Sequence, residues 1–178
     1  MEPNRQLEFS DERKDFKKYL AFIEANRHPI SLLLDGIHDL QNIGMLFRLG
    51  DAARIEKIYF YPTSFDLNEK KLNRIARSTL QYIPHETLNT LESVKKLQQS
   101  HHLVALDRTN KSIPYTQLAP QKKILLIAGS EQYGVSDELL ALADTTIHIP
   151  MYGVNTSMNV ACATSIALFS IISKHFDH

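Results

Sequence analysis

The sequence predicts an α/β protein with a mainly parallel sheet flanked by helices. Three observations carry this. Short apolar runs bounded by turn residues alternate with segments of helical periodicity. The runs are continuously apolar rather than alternating, which fits strands covered on both faces. Gly, Pro and polar residues collect just after the runs, at the edge where open α/β sheets bind ligands.

Residues 10–26 read as a polar, amphipathic opening helix, capped by Ser10 and acidic in its first turn. Ile30 to Leu34 is a buried strand ending at Asp35-Gly36. Residues 41–53 have helical spacing, with Ile43, Leu46 and Phe47 on one side. Lys57 to Tyr61 is a strand closed by Pro62. Leu67 to Leu80 reads as a basic helix carrying Lys70, Lys71, Arg74 and Arg77, and residues 87–99 as another helix. His102 to Leu106 is a strand followed by a turn-rich stretch. Ile124 to Ala128 is the most apolar strand and runs straight into Gly129-Ser130-Glu131. Ser136 to Ala143 is a short helix, Thr145 to Ile149 a strand ended by Pro150, and Thr156 to Lys174 a last helix, apolar on nearly all sides. A helix of that kind is central in the fold or covered by a partner, which points to a homodimer.

The chain has 178 residues, of which 43% are hydrophobic, enough for one domain with a real core. Lys plus Arg and Asp plus Glu number 20 each, so net charge gives no hint of a nucleic-acid partner. A local basic patch is still able to bind phosphate on a neutral protein. Cys162 is the single cysteine, so a disulfide framework within the chain is impossible and a reducing, cytoplasmic setting is expected. It reads as a small core residue of the last helix. The opening residues have no apolar run, so no secretory signal is expected. Met158 to Ile172 is shorter than the about 20 residues a membrane span needs, so no membrane partner is expected. The eight histidines lack metal-ligand spacing, and no metal site is expected.

Three segments could carry chemistry. In Asn42-Ile43-Gly44-Met45-Leu46-Phe47-Arg48, Asn42 sits at a helix start, where its amide caps the backbone or meets a ligand. Gly44, a poor helix former, suggests close approach by something else. Arg48 is a surface arginine or a guanidinium held near phosphate. In Gly129-Ser130-Glu131-Gln132-Tyr133-Gly134, a carboxylate follows a buried strand directly, and the glycines permit a tight path near a ligand. The plain alternative is an ordinary turn with Ser136 capping the next helix. The segment is neither a dinucleotide fingerprint nor a P-loop. In Ile149-Pro150-Met151-Tyr152-Gly153-Val154-Asn155-Thr156-Ser157-Met158-Asn159-Val160, Ser157 and Asn159 are polar groups heading an apolar helix. They either meet a ligand or are satisfied locally, with Asn155 or Thr156 as cap.

Taken together, in this order, the segments resemble the three motifs of the SpoU/TrmH family of SPOUT methyltransferases. The matching residues are Asn42 and Arg48; Gly129, Glu131 and Gly134; and Ile149-Pro150-Met151, Gly153 and Ser157-Met158-Asn159-Val160. The likeness covers about residues 30–174. Leu49-Gly50 stands where the family commonly has Thr-Ala, Met158 where it has Leu, and Ala161 where Ser is frequent. The resemblance implies residues 1–28 as an N-terminal helical extension and 29–178 as a methyltransferase domain with a C-terminal trefoil knot. It implies an obligate dimer, with residues of both chains at each site. It implies S-adenosylmethionine (AdoMet) as cofactor, in a pocket lined by Leu106, Gly129, Glu131, Ile149, Met151 and Met158. Methyl transfer would go to a ribose 2′-hydroxyl of tRNA, the first expectation, or rRNA. Arg48, Asn42, Glu131, Ser157 and Asn159 would be the catalytic set. The resemblance assigns Arg48 the main role in activating the 2′-oxygen; because a guanidinium does not lose its proton, Arg48 would do so by gripping phosphate and stabilising the developing oxyanion. Asn42 orients Arg48 or the ribose, and Glu131 braces Asn42 or Arg48. Arg48, Lys70, Lys71, Arg74 and Arg77 would contact RNA, unless the last four are merely a solvated helix face. Two other readings are a non-catalytic RNA-binding knot protein and a SPOUT enzyme that methylates a base.

Overall fold

The computed structural model describes residues 15–62, 70–119, 121 and 123–175. Helix α1 (Phe16–Ala25) leads into strand β1 (His28–Asp35), helix α2 (Leu40–Ala52) and strand β2 (Ile55–Tyr61). Helix α3 (Lys70–Ala76), strand β3 (His85–Thr87) and helix α4 (Leu91–Gln98) follow. Strands β4 (His102–Leu106), β5 (Ile113–Pro114) and β6 (Ile124–Gly129) precede helix α5 (Asp137–Leu142). Strand β7 (Thr145–His148) and helix α6 (Val160–His175) complete the order.

Among the described residues, seven strands form one sheet in the order β3-β2-β1-β6-β4-β7-β5, and every pairing is parallel. Parallel strands need both faces covered, and the two-residue period of a strand shows how that is done. Ile30, Leu32 and Leu34 of β1 and Ile124, Leu126 and Ala128 of β6 join the core under α2, α3 and α6. Leu33, Leu125 and Ile127 point the other way, into the core with Val94 of α4 and Leu139 of α5. The result is three layers with β6 central.

Several boundaries differ from the sequence reading, each for a local reason. The side chain of Asp39, not Asn42, caps α2, accepting from the amides of Gln41 (2.7 Å) and Asn42 (2.9 Å). Asp15 caps α1; the expected cap Ser10 lies outside the described residues. The basic helix stops at Ala76, because Arg77 and Ser78 take positive φ (48° and 72°) before a tight turn at Thr79–Gln81. Residues 67–69 of that expected helix lie outside the described residues. Thr87 ends an edge strand, His85–Thr87, rather than starting a helix, and α4 begins after Thr90, whose hydroxyl accepts from the Ser93 amide. The turn-rich stretch after β4 holds the two-residue strand β5, too short to read from sequence. The last helix starts at Val160 because Asn159, not Asn155 or Thr156, caps its first turn. Cys162 is exposed on that helix rather than in the core.

Gly44 is explained by helix packing. A Cβ there would stand 2.5 Å from Cγ2 of Ile75, so α2 and α3 touch where the side chain is missing. No described helix is long and apolar enough to cross a membrane.

Candidate active site

The carboxyl ends of β4, β6 and β7 frame a cleft of about 340 Å³. Its walls follow from the strand order. β6 lies between β1 and β4, and β7 lies beyond β4, so the turns after β6 and β7 face each other across the end of β4. Leu106, Gly129, Glu131, Ile149, Met151 and Met158 all line this one cleft. Ser157 lines it as well, as do Val160 and Ala163 from the start of α6. Apolar groups such as Leu106, Ile149 and Val160 share the walls with polar ones such as Asp107, Glu131 and Ser157, and strand-end backbone is within reach, a make-up that suits a small-molecule site.

The turn after β6 is unusually tight. The amide of Ser130 donates to the carbonyl of Gly134 (3.0 Å), and the Gly134 amide donates back (2.9 Å). A Cβ on Gly129 would lie 2.0 Å from the carbonyl carbon of Gly134, and Gly134 itself has φ +71°. Both glycines are therefore required by the backbone path. The close approach at Gly129 is to its own turn.

A chain of amide hydrogen bonds joins the three sequence segments. The side-chain amide of Asn159 donates to Oδ1 of Asn42 (2.8 Å), and the amide of Asn42 donates to Oε1 of Glu131. Asn42 is only 7% exposed, so both of its polar ends are spoken for in a place where an unpaired amide would be costly. Oδ1 of Asn159 also accepts from the amides of Ala161 (2.9 Å) and Cys162 (3.3 Å). The start of α6 is thus tied to the start of α2 and to the turn after β6.

Arg48 stands apart. It is exposed on α2 and is not part of the cleft wall. It shares the outer stripe of α2 with Gln41 and Met45, one helical turn apart. Met45 (42% exposed) and, on α6, Ile166 (38%) and Phe169 (48%) leave apolar surface uncovered on two helices that pack together. Lys70, Lys71, Arg74 and Arg77 are all exposed at α3, which packs on α2.

Two groups beside the cleft were not singled out by sequence reasoning. Asp107 follows β4 directly and lines the cleft. Asp35 ends β1 and lines a neighbouring pocket with His38, Asp39, Asn42 and Glu131. The available signal was the same for both: a carboxylate directly after an apolar strand. Burial lifts the Asp35 carboxyl above the usual carboxylate range, partly offset by its hydrogen bond from the Ser136 amide. Close by, the Tyr61 phenol is pushed up to about 12, first by burial and then by donating to Glu138 (2.5 Å).

A three-layer α/β protein whose cofactor-sized cleft is built from turns at the carboxyl edge, with no phosphate loop, is a ligand-binding α/β protein of the open-sheet kind. Comparison narrows this. The sequence profile of the SpoU rRNA methylase family matches residues 29–169. The chain belongs to that family. It is 29% identical over 140 residues to a 23S rRNA (guanosine(2553)-2′-O)-methyltransferase of Bacillus subtilis, covering 79% of this chain and 56% of that one. It is 26% identical over 168 residues to a tRNA (guanosine(18)-2′-O)-methyltransferase of Aquifex aeolicus, covering 92% of this chain and 78% of the relative. Its fold matches a crystal structure of an AdoMet-bound rRNA methyltransferase from Sinorhizobium meliloti with TM-score 0.77 at 28% identity. That match covers 87% of this chain and 60% of the other. The chain thus spans between half and two thirds of the Bacillus and Sinorhizobium proteins.

Proposed function

We propose that this chain is an AdoMet-dependent RNA methyltransferase that modifies a ribose 2′-hydroxyl of tRNA or rRNA. The observation that carries the reading is the Asn159–Asn42–Glu131 chain, which joins three distant segments beside the cleft. The named activities of the Bacillus and Aquifex relatives support it, as does the AdoMet in the Sinorhizobium structure. The cleft fits this cofactor on its own terms: it has the size of a small-molecule site, and strand ends such as Leu106 and Ile149 offer adenine an apolar slot with backbone donors and acceptors. Gly129, Met151 and Met158 would hold the remainder. When bound, AdoMet supplies an electrophilic methyl group on its sulfonium.

The chain's own residues then have to position a weak nucleophile. Asn42, fixed from both sides, orients the acceptor ribose, and Glu131 holds Asn42 in place. Ser157, exposed on the cleft wall, contacts the substrate phosphate. Arg48 keeps its proton and stabilises negative charge as it develops on the 2′-oxygen, gripping the adjoining phosphate. Since Arg48 lies off its own cleft wall, the reading includes a homodimer in which Arg48 completes the partner's site. The exposed Met45, Ile166 and Phe169 support that interface. It also includes the C-terminal trefoil knot, supported by β6 lying between two earlier strands and by the facing turns after β6 and β7. Lys70, Lys71, Arg74 and Arg77 guide the RNA backbone. Helix α1 belongs to an N-terminal extension, whose expected residues 1–14 lie outside the described residues, and the setting is cytoplasmic.

The test is transfer of labelled methyl from AdoMet to RNA taken from cells lacking the gene, followed by digestion to nucleosides. The expected product is a 2′-O-methyl nucleoside. A methylated base would replace this reading with that of a base methyltransferase. RNA binding without AdoMet binding would replace it with that of a non-catalytic RNA-binding protein.

A further inference from the structure

The turn carrying Glu131 is held from both sides by carboxylates that end the strands flanking β6. The strand register sets this up. Asp35 of β1 pairs with Gly129, and Leu106 of β4 pairs with Ala128, so Asp107 is level with Gly129 on the other side. At that level the chain turns back on itself through the Ser130–Gly134 bridge. Oδ2 of Asp107 accepts the amide of Val135 (2.8 Å), while its Oδ1 accepts the amide of Arg108 (2.6 Å). Oδ2 of Asp35, a residue only 5% exposed, accepts the next amide, that of Ser136 (2.6 Å). Nothing separates the turn from the strands, since a Cβ on Gly134 would stand 2.4 Å from Oδ2 of Asp107.

The two carboxylates also face different spaces. Asp107 lines the cleft at the ends of β4, β6 and β7, and Asp35 lines the neighbouring pocket with Asn42 and Glu131. The turn between them, Ser130 to Gly134, lines both. It is a wall shared by the two cavities, and Glu131 stands on it.

We infer that Asp35 and Asp107 are positioning residues that fix this shared wall, Asp107 for the cofactor cleft and Asp35 for the pocket where the acceptor group meets Asn42 and Glu131. The assignment of the two cavities rests on the proposed methyltransferase function; the clamp itself does not. An ordinary turn-stabilising role would affect stability alone, whereas a shared wall held from two sides separates into two effects. Loss of Asp107 weakens AdoMet binding. Loss of Asp35 slows transfer to RNA while cofactor affinity holds.

The experiment combines amide hydrogen exchange on the cofactor-free chain with AdoMet calorimetry and single-turnover methylation of total RNA from cells lacking the gene. The variants are Asp107→Ala, Asp35→Ala and Asp35→Asn. In Asp107→Ala the Val135 amide exchanges about tenfold faster, the loss of one hydrogen bond, and AdoMet affinity falls. In Asp35→Ala the Ser136 amide exchanges faster and the transfer rate falls, with AdoMet affinity retained. Asp35→Asn restores both, because its Oδ1 accepts the same N–H. Wild-type exchange at Val135 and Ser136 in the alanine variants overturns the clamp, as does a uniform rise across the sheet. Faster exchange with unchanged affinity and transfer overturns the positioning role. If the wild-type chain itself fails to bind AdoMet while the exchange pattern holds, the functional reading falls and the clamp stands.

Discussion

Helix α2 carries two polar residues six positions apart that the fold treats in opposite ways. Asn42 is buried and bonded at both ends of its amide, to segments 89 and 117 residues away in sequence. Arg48 is exposed on the outer stripe of the same helix, off the cleft wall. One is therefore part of the architecture and the other is presented outward. The difference teaches that a single chain ties Asn42 to two distant segments but leaves Arg48 unengaged by its own cleft; under the proposed function, Arg48 meets the reacting oxygen in a partner's site.

The largest expected effect comes from the presented residue. Arg48→Ala should lower single-turnover methylation by about 10²–10³, as removal of one charge-stabilising donor does. Its denaturant midpoint should stay within about 0.5 kcal/mol of wild type, as expected for a surface site. Arg48→Lys should remain strongly impaired, because it keeps the charge and loses the planar fork. Next comes the surface that would bring two such helices together. Phe169→Asp places a carboxylate on the exposed face of α6, and sedimentation velocity should then show monomers that keep AdoMet binding and lose methylation.

The contrasting residue should behave differently. Asn42→Ala removes the centre of the polar chain and leaves Glu131 and Asn159 without their partner. Urea unfolding should show a loss of about 1–3 kcal/mol, the cost of unsatisfied groups, alongside a loss of activity. Stability would thus separate Asn42 from Arg48 even where rates do not. The smallest effect concerns Asp35. Its folded-state pKa is raised, chiefly by burial, so ionisation is harder in the folded chain than in the unfolded one. The sign follows: this group's contribution to stability is full below its unfolded pKa and is lost as pH rises through the folded value. Asp35→Asn keeps the acceptor without the charge. It should unfold at higher temperature than wild type at pH 7, with the gap closing as pH falls through the carboxylate range.

Much of this was legible in the sequence because it is local. Ile30–Leu34, His102–Leu106 and Ile124–Ala128 are largely apolar on both faces and alternate with helical segments, the pattern of a covered parallel sheet. The six cleft residues were legible as a family resemblance, and the strand order brings them around one cleft. What was not legible depends on distant partners. Asn42 looked like a helix cap until Asp39 took that role and Glu131 and Asn159 met its amide. Gly44 signalled close approach by something else, but only the fold shows that the neighbour is Ile75 of α3. Cys162 looked like core, but which stripe of an all-round apolar helix faces outward is set by packing, not by periodicity. The edge strands β3 and β5, three and two residues long, carry too little pattern to be seen.

The central claim is that Arg48 works across the subunit boundary, and mixed dimers test it most directly. One subunit would carry Arg48→Ala and the other Met158→Glu, which places a carboxylate in the cofactor cleft. Each homodimer should be inactive. If Arg48 acts on the partner's cleft, the purified mixed dimer holds one intact site and should recover about half of wild-type methylation, one site of two. If it stays as inactive as either homodimer, Arg48 serves its own chain's cleft and the cross-subunit role is wrong.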